Sequence, residues 1–181
     1  MNIGDKLFDF ELKATNGNTF NNFSFADRYA LCLVITCQHC PKAQAYWQRI
    51  LALANRYEED SMCMVAINPN DAVAYPQDSY ENMQQFMEQY PTSKLIYLHD
   101  ETQEVTKKLG ATRTPEVFLF NAKRELVYKG AIDDAWENAN LVTQAYLEDA
   151  IEYCLDGLDI DYPEIEPVGC SIKWKPGNEP A

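Results

Sequence analysis

The sequence has few basic residues and lacks long apolar segments. It carries 15 Lys and Arg residues against 28 Asp and Glu, which gives a formal net charge of -13 over 181 residues. No stretch concentrates the basic residues as a phosphate-binding surface would, so nucleic acid and anionic membrane are excluded as expected partners. No run approaches about 18 apolar residues, and the first residues lack the apolar core of a secretory signal. We therefore expect a soluble, cytoplasmic protein.

Histidine and glycine are also scarce, which limits the cofactor chemistry open to the chain. There are two histidines, and the seven glycines form no phosphate-cradling loop. A structural zinc site usually takes two spaced ligand pairs, but only one Cys-x-x-Cys motif is present, at residues 37–40. Covalent haem attachment requires His directly after the second cysteine, where this chain has Pro41. We expect no metal and no other cofactor.

Six cysteines are present, and they fall into two groups. Three lie in patterns typical of buried, inert thiols, in two β-branched-rich runs and on one apolar helical stripe: Cys32, Cys63 and Cys154. The other three, Cys37, Cys40 and Cys170, have no such explanation and are the candidates for chemistry. In a cytoplasmic protein a spaced cysteine pair is more often catalytic or metal-binding than a structural disulfide.

Strand and helix patterns alternate along residues 1–157, which indicates an α/β domain. Residues 7–20 alternate loosely and turn at Asn16-Gly17, which predicts a peripheral β element. Five further strands are predicted at 30–36, 63–68, 94–98, 116–120 and 125–130, and four helices at 40–58, 79–90, 101–110 and 140–156. The first strands are expected to be parallel, with the last two adding an antiparallel pair at one side.

Residues 158–181 form a tail with four of the nine prolines and no periodicity. The tail nevertheless contains Cys170, Ile172 and Trp174, which a fully solvated segment would not need. We expect it to be ordered and to pack on the 1–157 domain.

Cys37 and Cys40 lie where the first parallel strand leads into the first long helix. Pro41 suits the first helical turn, so both cysteines lie at or beside a helix N-terminus. Free N–H groups and the positive end of the helix dipole stabilise a thiolate there, and a protonated His39 would add to this effect. An exposed thiolate attacks disulfides or peroxides, so the motif predicts a redox pair.

The chain resembles the thioredoxin-fold superfamily, in the redoxin group that spans thioredoxin-like and peroxiredoxin-like proteins and includes those related to alkyl hydroperoxide reductase and thiol-specific antioxidant. The resemblance covers essentially the whole chain and rests on four segments: Cys37-Gln38-His39-Cys40-Pro41, "YLHDETQEV" from Tyr97, Thr114-Pro115 before a strand, and the tail from Gly169 to Pro180. It implies a thioredoxin-like fold, a central mixed sheet flanked by helices, with an N-terminal β extension and an ordered C-terminal tail.

The resemblance also implies site roles. Cys37 would be the exposed nucleophile, and Cys40 would resolve the mixed disulfide. Pro115 would be cis and face the pair, while the backbone of Thr114 would dock an extended substrate. Arg113 is the one basic residue that this fold would place near the pair; it would tune the thiolate together with His39, or it is a solvated loop arginine.

Departures from the family pattern sharpen these expectations. Leu31 stands where thioredoxin has its buried Asp, so that proton acceptor is missing, and neither cysteine has the peroxiredoxin Thr three residues earlier. Gln-His between the cysteines resembles the Pro-His of strongly oxidising disulfide oxidases, which predicts a relatively oxidising pair. Asp100 is interpreted as a helix cap rather than as a partner of His99 in a catalytic dyad.

The sequence therefore predicts a thiol-disulfide oxidoreductase. It would act on protein or small-molecule disulfides and depend on a thiol reductant system. One alternative is a thiol peroxidase that reduces hydrogen peroxide or organic hydroperoxides, with the sulfenic acid resolved by the neighbouring cysteine or by Cys170. Another is a redox sensor or partner-binding module without turnover.

Overall fold

Ten strands and four α-helices make up the computed structural model, which describes residues 1–181. The strands are β1 (Glu11–Ala14), β2 (Thr19–Asn21), β3 (Ala30–Ile35), β4 (Met62–Asn68), β5 (Ile96–His99), β6 (Arg113–Thr114), β7 (Glu116–Phe120), β8 (Leu126–Gly130), β9 (Glu164–Ile165) and β10 (Cys170–Ser171). The helices are α1 (Pro41–Arg56), α2 (Tyr80–Glu88), α3 (Glu104–Leu109) and α4 (Tyr146–Leu155).

Eight of the strands form one mixed sheet in the order β2-β1-β5-β4-β3-β7-β8-β9. Strands β3, β4 and β5 are parallel, whereas β7 runs antiparallel to both β3 and β8. The β1–β2 hairpin lies at one edge, with Asn16 and Gly17 in its turn. The predicted mixed sheet with an N-terminal β extension is confirmed, and the fold is thioredoxin-like.

The central strands bury both of their faces, which explains their continuous apolar runs. Along β3, Cys32 and Val34 point into a core shared with α1, α2 and α4, and Leu31 and Leu33 point into the opposite core, shared with α3. This period of two places Cys32 out of solvent, and Cys63 and Cys154 are buried as well. No helix of the structure has the length and apolar character needed to span a membrane.

Helix starts agree with the sequence signals at α1 and α2, whereas α3, expected from residue 101, begins at Glu104 and α4 also begins later than expected. Ser79 caps α2 by accepting from Asn82 N at 3.2 Å, as predicted. The last helix was expected to begin near residue 140 but begins at Tyr146. The preceding residues are held out of the helix because the Asp134 carboxylate accepts from Thr143 N, while Asn138 caps a separate 3-10 turn.

The tail lies across the domain in two places. Strand β9 pairs with β8, where Gly130 is required because an added Cβ would lie 1.6 Å from Ile165 O. Strand β10 pairs antiparallel with β6, and Ile172 enters the core on the α3 side of the sheet. These contacts carry the tail to the N-terminus of α1.

Candidate active site

Cys40 is joined to Cys170 by a disulfide that links positions 130 residues apart. The spacing-based expectation of a Cys37–Cys40 pair is therefore not what the structure shows. Pairing of β10 with β6 sets Cys170 opposite Thr114, and the Cα atoms of Cys40 and Cys170 are 6.2 Å apart, within the usual range for a disulfide. Cys40 occupies the N-cap position of α1, with Pro41 in the first turn as predicted.

Cys37 is a free thiol with no exposed surface. The expectation that it would be the more exposed cysteine is wrong, because Thr114 and Trp47 cover it. Its Sγ lies 3.5 Å from Thr114 Oγ1, and Trp47 Nε1 donates to its carbonyl at 3.0 Å. Burial, followed by the nearby Asp78 carboxylate, raises the pKa of Cys37 to about 11. The helix N-terminus therefore does not make Cys37 a thiolate at neutral pH in this state.

Asp78 is a fully buried carboxylate beneath the Cys-x-x-Cys loop. Its Oδ1 accepts from Gln38 N at 2.7 Å and from Asn68 Nδ2 at 3.1 Å. Its Oδ2 lies 3.0 Å from His39 Nδ1 and accepts from Asn70 Nδ2 at 3.0 Å. The carboxylate thus ties the loop to the end of β4, and it supplies a buried acid that Leu31 does not.

His39 is held on two sides. Besides its contact with Asp78, its ring stacks on Tyr75 with centroids 4.9 Å apart. Sγ of Cys37, a ring nitrogen of His39 and a carboxylate oxygen of Asp78 all lie within 4.8 Å of one another. These three groups are of metal-ligating types, but ligation would compete with the four contacts that Asp78 already makes.

Thr114 touches both sulfur atoms of the Cys-x-x-Cys motif. Its Oγ1 faces Cys37, and its carbonyl oxygen lies 3.7 Å from Cys40 Sγ. The Thr114–Pro115 bond is cis, as predicted. The backbone edge expected to dock a substrate is occupied by Cys170 and its neighbours.

Arg113 and Asp100 lie at the edges of this arrangement. Arg113 is exposed, pairs through its backbone with Ser171, and has no side-chain hydrogen bond or ion pair. Asp100 accepts from Thr106 N at 2.8 Å and from Thr106 Oγ1 at 2.7 Å, which bears out its capping role at the start of α3.

Comparison with known protein families identifies the family of this chain. The model of the AhpC/TSA family matches residues 3–129. The chain belongs to the AhpC/TSA family. Family membership indicates thiol-based oxidoreductase chemistry in general.

Solved structures extend the likeness over the whole chain of this AhpC/TSA protein. A hypothetical protein from Sinorhizobium meliloti is 34% identical, with TM-score 0.91 and coverage of 98% of this chain and 97% of that one. An uncharacterized conserved protein from Geobacillus kaustophilus is also 34% identical, with TM-score 0.89 and coverage of 97% and 94%. The peroxidoxin BcpB from Mycobacterium tuberculosis is 16% identical, with TM-score 0.65 and coverage of 88% and 99%, and shares the fold. A search of curated protein sequences gave no match.

Proposed function

We propose that the protein is a thiol-disulfide oxidoreductase that passes one disulfide among Cys37, Cys40 and Cys170. The observation that supports this is the Cys40–Cys170 disulfide packed directly against a third, free cysteine. A purely structural crosslink would not need an unpaired thiol beside it. We therefore assign the partner-facing role to Cys40 and the internal, resolving role to Cys37, the reverse of the order expected from the motif.

The internal step is a redox-neutral exchange. The Cys37 thiolate attacks Cys40 Sγ, a Cys37–Cys40 bond forms, and Cys170 leaves as a thiolate that takes up a proton. At a pKa of about 11, only about one Cys37 in ten thousand is a thiolate at pH 7. The fixed contact of Cys37 with the disulfide compensates for this small thiolate fraction, because an intramolecular thiol acts at a high effective concentration.

The external step takes place at Cys40. When the mixed disulfide between Cys40 and the partner is resolved, the departing Cys40 thiolate lies at the N-terminus of α1, where free N–H groups and the helix dipole stabilise negative charge. His39 and Arg113 are proposed to tune this thiolate, and Thr114 and Pro115 to shape the docking edge. A cytoplasmic thiol reductant would regenerate the dithiol form. The oxidising character expected of the Cys37–Cys40 pair stays a prediction, and a reduction potential as low as about -270 mV would contradict it.

A thiol peroxidase is the second candidate, favoured by the pairing of a helix-start cysteine with a C-terminal one. Cys40 would reduce a hydroperoxide to an alcohol or water and become a sulfenic acid. Cys170 would then attack the sulfenic sulfur, forming the observed disulfide and releasing water.

Rates of the reduced protein toward hydrogen peroxide and toward a protein disulfide separate the two candidates. We would measure both in the wild type and in Cys37→Ser, Cys40→Ser and Cys170→Ser. Fast disulfide exchange that is lost in Cys40→Ser, with a peroxide rate no greater than that of a free thiolate, supports the oxidoreductase. A much faster peroxide rate that is lost in Cys40→Ser identifies a peroxidase, and mapping the disulfide after one equivalent of peroxide tests Cys170 as its resolving thiol.

A further inference from the structure

The tail around Cys170 occupies an extended groove whose contacts resemble those of a bound peptide. Cys170 and Ser171 pair antiparallel with Thr114 and Arg113. Downstream, Lys173 N donates to Asn70 Oδ1 at 3.0 Å, and Lys173 O accepts from Asp71 N at 2.8 Å. All of these contacts use the main chain of the tail, so a different polypeptide is able to make them equally well.

Two positions of the groove depend on the side chain that is bound there. An added Cβ on Gly169 would lie 2.5 Å from Thr114 O, a distance that real Cβ atoms essentially never show. The groove therefore accepts only glycine, without displacement, at the residue before the cysteine. Two residues after the cysteine, Ile172 is 4% exposed and packs in the core on the α3 side of the sheet.

The covalent contact is at Cys40, because Cys170 joins this cysteine and not Cys37. Cys170 itself is half-buried, and it packs with Cys37, Cys40 and Ala43 at the start of α1. The tail thus shows how a cysteine on an extended strand reaches the site.

We propose that the tail occupies the site of a partner protein, and that the groove selects extended protein segments of the form Gly-Cys-polar-aliphatic. This inference rests on the proposed function. Movement of the disulfide from Cys40–Cys170 to Cys37–Cys40 frees the tail and opens the edge of β6 to such a segment.

The exchange with the partner conserves atoms and electrons. A thiolate of a partner dithiol attacks Cys40 Sγ of the Cys37–Cys40 disulfide, and Cys37 leaves and is protonated. The partner's second thiolate attacks its own half of the mixed disulfide, and Cys40 leaves as a thiolate. The partner dithiol is oxidised to a disulfide and the Cys-x-x-Cys pair gains its two electrons. The reverse sequence reduces a partner disulfide.

Synthetic peptides test the selectivity with the full-length protein. The peptide Pro-Val-Gly-Cys-Ser-Ile-Lys-Trp, with its cysteine joined to glutathione as a disulfide, would be compared with versions carrying Ala for Gly or Asp for Ile. We expect the reduced wild type to release the thiol of the parent peptide at least about tenfold faster than that of either variant. Insulin disulfide reduction would be measured in parallel.

A matched pair of protein variants tests the same contact from the side of the tail. Gly169→Ala should push the tail off β6, and it should raise the rate toward the parent peptide several-fold. Val168→Ala removes an exposed side chain one residue away, and it should leave the rate unchanged.

Three results would overturn the inference. Equal rates for the Gly and Ala peptides, with insulin reduction intact, overturn this inference but not the proposed function. Absence of exchange with every disulfide overturns it together with the proposed function. A disulfide-linked dimer on oxidation of the wild type would assign the groove to the tail of a second copy instead of a partner protein.

Discussion

The two cysteines of the Cys-x-x-Cys motif are three residues apart and both are buried, but they differ in bonding and in neighbours. Cys37 is sealed beneath Thr114 and beside a buried carboxylate, and its thiol keeps its proton. Cys40 lies at the N-terminus of α1 and is bonded to a half-buried residue of the tail. In the proposed function, Cys37 is the internal thiol and Cys40 is the sulfur that exchanges with partners.

This contrast comes from the residues that pack on either side of the motif and not from the motif itself. The Cys37 side is built from residues near the end of β4, chiefly Asn68, Asn70 and Asp78. The Cys40 side is built from β6 and the tail. Substitutions on each side should affect one sulfur more than the other.

The largest effect is expected from Cys40→Ser. This change removes the sulfur proposed to face the partner and the 130-residue crosslink, so exchange should be abolished and the free energy of unfolding should fall by about 2–5 kcal/mol. Denaturant titration and insulin reduction measure the two effects. Cys37→Ser serves as the comparison, since it keeps the crosslink and should instead trap mixed disulfides at Cys40. Trapping at Cys37 in Cys40→Ser would reverse the two roles.

Alkaline pH should lower the free energy of unfolding, because it deprotonates Cys37. Burial raises the pKa of Cys37 from 9.0 to about 11, so the folded state favours the protonated thiol. The stability that the protonated Cys37 thiol contributes is complete below about pH 9 and is lost as the pH rises toward 11. The free energy of unfolding falls by at most about 2–3 kcal/mol. Thermal unfolding of the wild type and of Cys37→Ser across pH 8–11 measures it. Parallel curves for the two proteins would show that Cys37 is not the group that titrates.

A smaller effect is expected from Asp78→Asn. Loss of the negative charge should lower the pKa of Cys37, although burial, which is the larger cause, would keep it above its ordinary value. Asp71→Asn is the matched control, since the Asp71 carboxylate lies in the same loop and accepts from Val73 N. The pH midpoint of the stability difference from Cys37→Ser should move down only in the Asp78 variant. An unchanged midpoint would remove Asp78 as an electrostatic influence.

The regular part of the fold was predictable because its signals are local. The apolar runs of β3, β4 and β7 and the Pro41 start of α1 are visible within windows of a few residues. The site was only partly predictable, and Asp78 was missed. That residue lies in a loop without periodicity, and its partners Gln38 and His39 are 40 and 39 positions away. No sequence spacing reports such a contact.

The main prediction paired Cys37 with Cys40 and named Cys170 only as a possible resolving thiol of the peroxidase alternative, for a similar reason. Proximity of two cysteines in sequence favours pairing through a short loop, whereas the Cys40–Cys170 bond depends on the seating of the tail on β6. The signal in the sequence was the apolar content of the tail around Ile172, which indicated packing but not register.

The smallest effect is expected from Arg113→Ala. Arg113 is exposed and unpaired, so its loss should change the free energy of unfolding by no more than about 0.5 kcal/mol. If its charge tunes the Cys40 thiolate, the reaction with peroxide should slow about two- to fivefold at low salt and less at high salt. Lys107→Ala, the same charge change on the exposed face of α3, should leave the rate unchanged. An equal response in both variants would leave Arg113 without a specific role.

The bond between Cys40 and Cys170 also makes the extensibility of the chain depend on which cysteines are paired. While it is closed, the 130 positions that it spans form a covalent loop that cannot be drawn out when the two ends of the protein are pulled. At about 3.3–3.6 Å per extended residue, the loop withholds roughly 430–470 Å of contour length. A translocating protease or an unfoldase that threads polypeptides would therefore meet a short, tethered chain while Cys40 is bonded to Cys170, and an almost fully extensible one once the disulfide moves to Cys37–Cys40 or is reduced.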